Sequence, residues 1–249
     1  MQAYLTLARR EFAGYFFSIS GYVIIAASAF LMGLGFVSML VNLQGDPTPI
    51  PVTELFYMTF YFWVILLLTV PVITMRLFAQ EKASGTFETL MTTPVTDLQV
   101  VGAKFTAALA FYALMWLPLL GCILLLRRYA NDPTGFDPGL VATTFLGIVL
   151  LGCLFLSLGC LGSALTRNQM TAAMITMVLC VSLFLLSFLS DHFPLTTWQG
   201  QAMSLFALRD QMHDFARGIV DSRAVVIYLS LTGFCLYLTL RVIESRRWR

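Results

Sequence analysis

The residues that could do covalent or metal chemistry are few, and they are badly spaced for it. His192 and His213 are the chain's two histidines, 21 positions apart, and with no third ligand at metal spacing they make a poor metal site. Ser157 and Ser163 stand in a long apolar run. A serine nucleophile there would need a histidine base at the same depth, and none is present. Hydroxyls in such runs bond backbone carbonyls instead. The five cysteines, Cys122, Cys153, Cys160, Cys180 and Cys235, all fall in apolar runs, where cysteine behaves as a small hydrophobe, and no CxxC or disulfide framework is formed. HExxH, GxSxG and glycine-rich phosphate loops are absent. The chain is therefore expected to have no catalytic, cofactor-binding or metal-binding residue and not to be an enzyme.

What remains is the chemistry of a contact. Between two long apolar runs lies RLFAQEKASGTFETLMTTPVTDLQVVGAK, Arg76 to Lys104. Pro94 should stop a short helix at Thr86–Thr92, with Phe87, Leu90 and Met91 on one face and Glu88 and Thr92 turned away. Gly85 ahead of it, with Glu88 three residues on, reads as a helix start, and Thr96 with Gln99 reads as a capping box for the next helix. So short a helix is marginal in water, and packing must hold it. Periodicity alone leaves two readings open, a docking element for a partner or a solvated loop clipped against its own bundle.

The elements that must position this stretch are membrane helices. The chain is 59% apolar and 11% charged, with a mean hydropathy of +0.83, against about 25% charged in a soluble domain. The predicted class is an all-α membrane protein with a single transmembrane domain over residues 1–249. The net charge of +2 is spread over the connectors, without the basic patch that would point to nucleic acid. A bilayer-spanning helix needs about 20 apolar residues, and six stretches qualify: roughly 21–41, 55–75, 100–126, 140–165, 170–189 and 224–240. Residues 76–99 connect the second and third on one side.

Residues 1–20 are amphipathic rather than spanning. Leu5, Ala8, Phe12, Tyr15 and Phe16 share a face, with Arg9, Arg10 and Glu11 on the other, so the segment should lie in the membrane interface. The run after it is long enough to span and has no small-residue cleavage site, so it is read as an uncleaved first span. Asn42–Glu54, with three prolines, is expected to be a loop without helix. In the 190–223 segment, Leu205, Leu208, Met212 and Phe215 are expected to line a second interfacial helix.

Placing both termini in the cytoplasm puts ten of the fifteen Lys and Arg inside, leaving Arg127, Arg128, Arg209, Arg217 and Arg223 opposite. In that orientation residues 76–99 are cytoplasmic. Ion-coupled carriers place ionisable groups at membrane depth. None is read in the six apolar cores here, Lys104 being counted with the cytoplasmic connector, so energy for transport would have to come from outside the chain. Pro71 and Pro118 can kink the second and third spans, and Gly147, Gly152, Gly159, Gly162 and Ser163 give the fourth small faces for close packing.

EKASGTFETLMTTPV, Glu81 to Val95, followed by Gln99 and Gly102-Ala103-Lys104, resembles the connector between spans two and three of ABC-2 type transporter permeases. HDFARGIVDSRAVVIYLSL, His213 to Leu231, resembles the segment before the last span in that family, nearest the gliding-motility and copper-enzyme-maturation type subunits. The resemblance implies that Thr86–Thr92 is a coupling helix seated on a separate ATP-binding subunit, with Glu81, Lys82, Gly85, Thr86, Phe87, Glu88, Leu90, Met91 and Pro94 at the contact. It implies that residues 1–20, with Arg9, Arg10 and Phe12, form an elbow helix beside it. It also implies a second copy of the chain or a related permease, ATP and Mg2+ held by the partner subunit, and a plasma (inner) membrane location. Three function classes are open: an ATP-driven permease, an exporter by resemblance; an ATPase-linked membrane anchor or mechanotransmitter that moves no substrate; and an intramembrane enzyme, which the coupling motif disfavours.

Overall fold

The computed structural model describes residues 2–43, 52–86, 96–129, 137–189 and 204–247. Every regular element among them is a helix. In chain order these are α1 (Gln2–Phe16), α2 (Ile19–Leu43), α3 (Val52–Met58), α4 (Phe60–Thr74), α5 (Ala79–Ser84), α6 (Asp97–Met115), α7 (Leu117–Tyr129), α8 (Pro138–Leu165), α9 (Gln169–Leu189), α10 (Leu208–Ala216) and α11 (Ser222–Arg247).

Six helical stretches are long and apolar enough to cross a membrane: Ile19–Val41, Phe60–Ser84, Asp97–Arg128, Pro138–Leu165, Gln169–Phe188 and Ser222–Ser245. The second runs from α4 through a turn into α5, and the third joins α6 to α7. The third breaks at Trp116, where Pro118 lacks a backbone N–H and crowds the carbonyl one turn earlier; the Trp116 N–H bonds Ala113 O at 3.2 Å in a tightened turn. Pro71 is accommodated inside α4, whose chain turns only at Met75.

Span four, α8, is the hub, packed by α4, α6, α9, α10 and α11. Glycine sets how closely they approach. A methyl group on Gly152 would lie 2.3 Å from the Tyr112 ring, and one on Gly159 would lie 2.3 Å from the Thr74 hydroxyl. The small face read from the sequence is thus occupied by neighbouring helices. Spans one, five and six are the least buried of the six and present Phe30, Met174, Val178 and Phe234 outward, as a lipid-facing surface would.

The structure revises three local expectations. Glu54 is not in a loop: α3 begins at Val52, and extended Thr59 separates it from α4, so Leu55–Met58 belong to a separate helix ahead of span two. In the segment before the last span, the apolar stripe faces protein rather than lipid. Leu208, Met212 and Phe215 are fully buried against α8, with Met212 and Phe215 pressed on Gly147, whereas Leu205 precedes α10 and is exposed. Its apolar stripe finds protein because a glycine leaves room for it.

On α1, the packed face is Tyr4, Leu7, Ala8, Glu11, Phe12 and Tyr15, so Glu11 faces inward and Leu5 outward. The i, i+3, i+4 steps through positions 4, 7, 8, 11 and 15 carry this stripe. A carboxylate stands inside it because a lysine waits opposite. Tyr15 stacks on Phe111 at 4.6 Å, and its hydroxyl donates to Ile73 O at 3.3 Å. Tyr4 and Thr106 share a hydrogen bond of 2.9 Å.

Candidate functional site

One end of the bundle gathers α1, the end of span two and the start of span three around a single cation. The Lys104 side chain is 1% exposed, and its Nζ donates to Glu81 Oε1 at 2.7 Å and to Glu11 Oε2 at 3.1 Å. A buried ammonium needs such partners, since an unpaired charge out of water costs several kcal/mol. Glu11 is also held by Arg10, at 2.9 Å. Burial by itself would raise the Glu11 pKa, but the Lys104 and Arg10 charges outweigh it and hold the carboxyl below its ordinary value. Sequence reasoning left Lys104 among the exposed connector cations, and the structure overturns that reading. The available signal was a lysine four residues into an apolar span, opposite a glutamate on the buried stripe of α1.

The second support is a hydroxyl. Ser163 Oγ of α8 accepts from the backbone N–H groups of Phe78 and Ala79, at 3.0 and 3.1 Å. Phe78 and Ala79 open α5, whose own N-cap offers no side-chain acceptor, so span four supplies the cap. Ser157 behaves as its position suggests, donating to Leu154 O at 2.7 Å. Lys82 also reaches α8, its Nζ donating to Ala164 O.

Gly85 stands where one helix ends and the chain is helical again at Thr86, as expected of a helix start there. It is the C-cap of α5, in the left-handed region at φ 75°, where glycine lacks the steric penalty of a side chain. Thr86 follows, exposed, sharing a hydrogen bond of 2.8 Å with Ser84. Phe87, Glu88, Leu90, Met91 and Pro94, and with them the body of the expected coupling helix, lie outside the described residues. The chain re-enters at Thr96, where the capping box is present: Thr96 Oγ1 accepts from the Gln99 N–H and Gln99 Oε1 from the Thr96 N–H, both at 3.4 Å.

Of the elbow residues, Arg9 is exposed, Arg10 is 60% exposed in its ion pair, and Phe12 packs half-buried beside Phe16. Between α1 and α5 a cleft of about 280 Å3 opens, lined by Glu11, Ser18, Arg76, Gln80, Glu81 and Lys104 among others. Arg76 donates to Ser18 at 2.9 Å across it, and Glu81 Oε2 is buried without a hydrogen-bond partner among the described residues.

No described group of three or more His, Cys, Asp or Glu could hold a metal ion. The site therefore brings together four helices, α1, α5 and α6 by charge and α8 by capping, next to the segment that leaves at Thr86. It offers the geometry of a mechanical joint, with fixed elements converging on one connector.

A sequence model of the ABC-2 family transporter proteins matches residues 51–208, from the helix before span two to the start of α10. The chain belongs to the ABC-2 transporter family. The match covers well over half of the chain, including Lys104 and Glu81, the connector and the hub helix. No curated protein matches the chain. Members of the ABC-2 family are membrane components of ATP-driven transporters and normally work with an ABC ATP-binding subunit. This ABC-2 protein is thus a multi-pass membrane protein of the permease kind, and the spans that its Lys104 joint ties together are those of a transporter's membrane domain.

Proposed function

We propose that the chain is the permease subunit of an ABC exporter in the plasma (inner) membrane. In this reading both termini are cytoplasmic and a separate ATP-binding subunit docks on Thr86–Thr92. That subunit holds ATP and Mg2+ and performs the hydrolysis. The permease contributes no catalytic residue and pairs with a second copy or a related permease.

The observation that supports this reading is the joint at Lys104. A displacement of the connector after Gly85 acts on α5, and α5 is bonded to α1 and α6 through Glu81, Lys104 and Glu11 and to α8 through Ser163. Force applied at one point of the cytoplasmic surface therefore reaches spans two, three and four together. The Lys and Arg distribution, ten against five, supports placing this face inside, where ATP is. Glu81, Lys82, Gly85 and Thr86 lead up to the contact, and Phe87, Leu90 and Met91 supply its apolar face.

The test is co-purification of the ATP-binding subunit with two variants. Leu90→Asp puts a charge into a desolvated contact and is expected to weaken binding by several kcal/mol, about a thousandfold. Glu88→Gln removes one rim charge and should give a smaller, salt-dependent loss. A Leu90→Asp variant that keeps its ATPase and normal ATP turnover would show the stub to be a solvated loop.

A further inference from the structure

Toward the end of span two away from the Lys104 joint, α4 and α9 leave between them a groove of about 670 Å3, closed at one end by α10. The volume falls in the range of about 300–1,000 Å3 typical of small-ligand sites. Its wall is apolar and aromatic: Trp63 packs on Phe184 at 4.7 Å, and Phe184 meets Phe188 edge-on at 5.2 Å. On α4 the lining runs from Phe60 to Leu67, about 10 Å of helix at 1.5 Å per residue. That is one third of a hydrocarbon core about 30 Å thick, and it starts at the end of the span.

The mouth is polar. Arg209 is exposed, yet its place is fixed three ways: its N–H donates to Ser187 Oγ at 3.0 Å, its carbonyl accepts from the Tyr57 hydroxyl, and its guanidinium lies 5.5 Å over the Phe188 ring. One turn on, His213 Nε2 and Arg217 Nη2 each lie 2.9 Å from Oε1 of the buried Glu54, which fastens α10 to α3. At the mouth the groove lining carries Arg209 and Asp210 together, while Glu54 is buried behind it on His213 and Arg217.

A ligand matching this surface has an acyl chain, an anionic group at Arg209 and a cationic group beyond it. We propose that the groove binds one zwitterionic glycerophospholipid from the leaflet on the α10 side. The chain lies along Trp63, Val64, Leu67 and Phe184, the phosphate sits at Arg209, and the ammonium points to Asp210. The lipid fastens span two to span five where the bundle itself leaves a gap. The site goes beyond ATPase docking and does not depend on it.

Native mass spectrometry of the full chain, purified without an ATPase, tests this with phosphatidylethanolamine, phosphatidylglycerol and diacylglycerol of matched chains. The expected result is one phosphatidylethanolamine per chain, held about tenfold or more tighter than diacylglycerol and tighter than phosphatidylglycerol. Arg209→Gln, at an exposed position, should bring phosphatidylethanolamine down to the level of diacylglycerol. Val64→Trp should fill the groove and remove the bound lipid. Equal binding of all three lipids, tighter phosphatidylglycerol, or indifference to both variants would overturn the proposal. So would a Val64→Trp variant that loses only a dimer mass, since the groove would then be covered by a second copy.

Discussion

At the scale of single residues, the decisive feature is a charge where the chain is otherwise apolar. Lys104 is buried between two carboxylates, and removing it leaves Glu81 without its cation and Glu11 with Arg10 alone. Breaking a buried pair this way costs about 3–5 kcal/mol, so Lys104→Met should sharply lower the melting temperature in detergent. A variant as stable as the wild type would mean that water, not protein, solvates the lysine. The same cluster sets a response to acid. The folded Glu11 pKa lies below its ordinary value of 4.5, so its contribution is fully present above that pH and is lost as pH falls through the depressed folded value. A melting-temperature profile in acid should be flatter for Glu11→Gln than for the wild type. Parallel profiles would show that α1 is not held by this carboxylate. Lys104 was hard to read from sequence because a lysine near a span end ordinarily reaches for water; what keeps this one inside is α1, an element 93 residues away in the chain.

At the scale of elements, composition and periodicity made the spans legible, since lipid demands long apolar helices whatever their neighbours. Legibility failed where the partner was protein. The stripe of α10 looked interfacial because its periodicity is the same whether lipid or a helix covers it, and only the gap at Gly147 decides. Phe215→Asp should therefore collapse folded yield, while Leu205→Asp, at an exposed site before the helix, should leave it nearly unchanged. Equal tolerance of both would detach α10 from the core. Capping was legible at Thr96, where both partners are local, but not at Ala79, whose cap comes from Ser163 on another span. Gly85 was legible as the start of a helix at Thr86, but its second role, ending α5 in the left-handed region, was not.

At the scale of the whole molecule, a hub helix with glycine-gated contacts and a charged joint at one end form a body that one connector can move. Gly159 seats Thr74 just before the turn into α5, and Ser163 caps α5 one helical turn further along α8, so the connector's motion is referred directly to the hub. The groove toward the far end lies between the same span two and span five, and its occupancy would change how freely that motion arrives there. The central claim is that a cytoplasmic ATPase drives this body through residues 86–92. The most direct measurement places a photoreactive amino acid at position 91 and irradiates intact cells that also express the cognate ATP-binding subunit. The account predicts an adduct whose peptides map to that subunit, lost in the Leu90→Asp background. Adducts confined to lipid or to a second copy of the chain, and indifferent to Leu90→Asp, would contradict it.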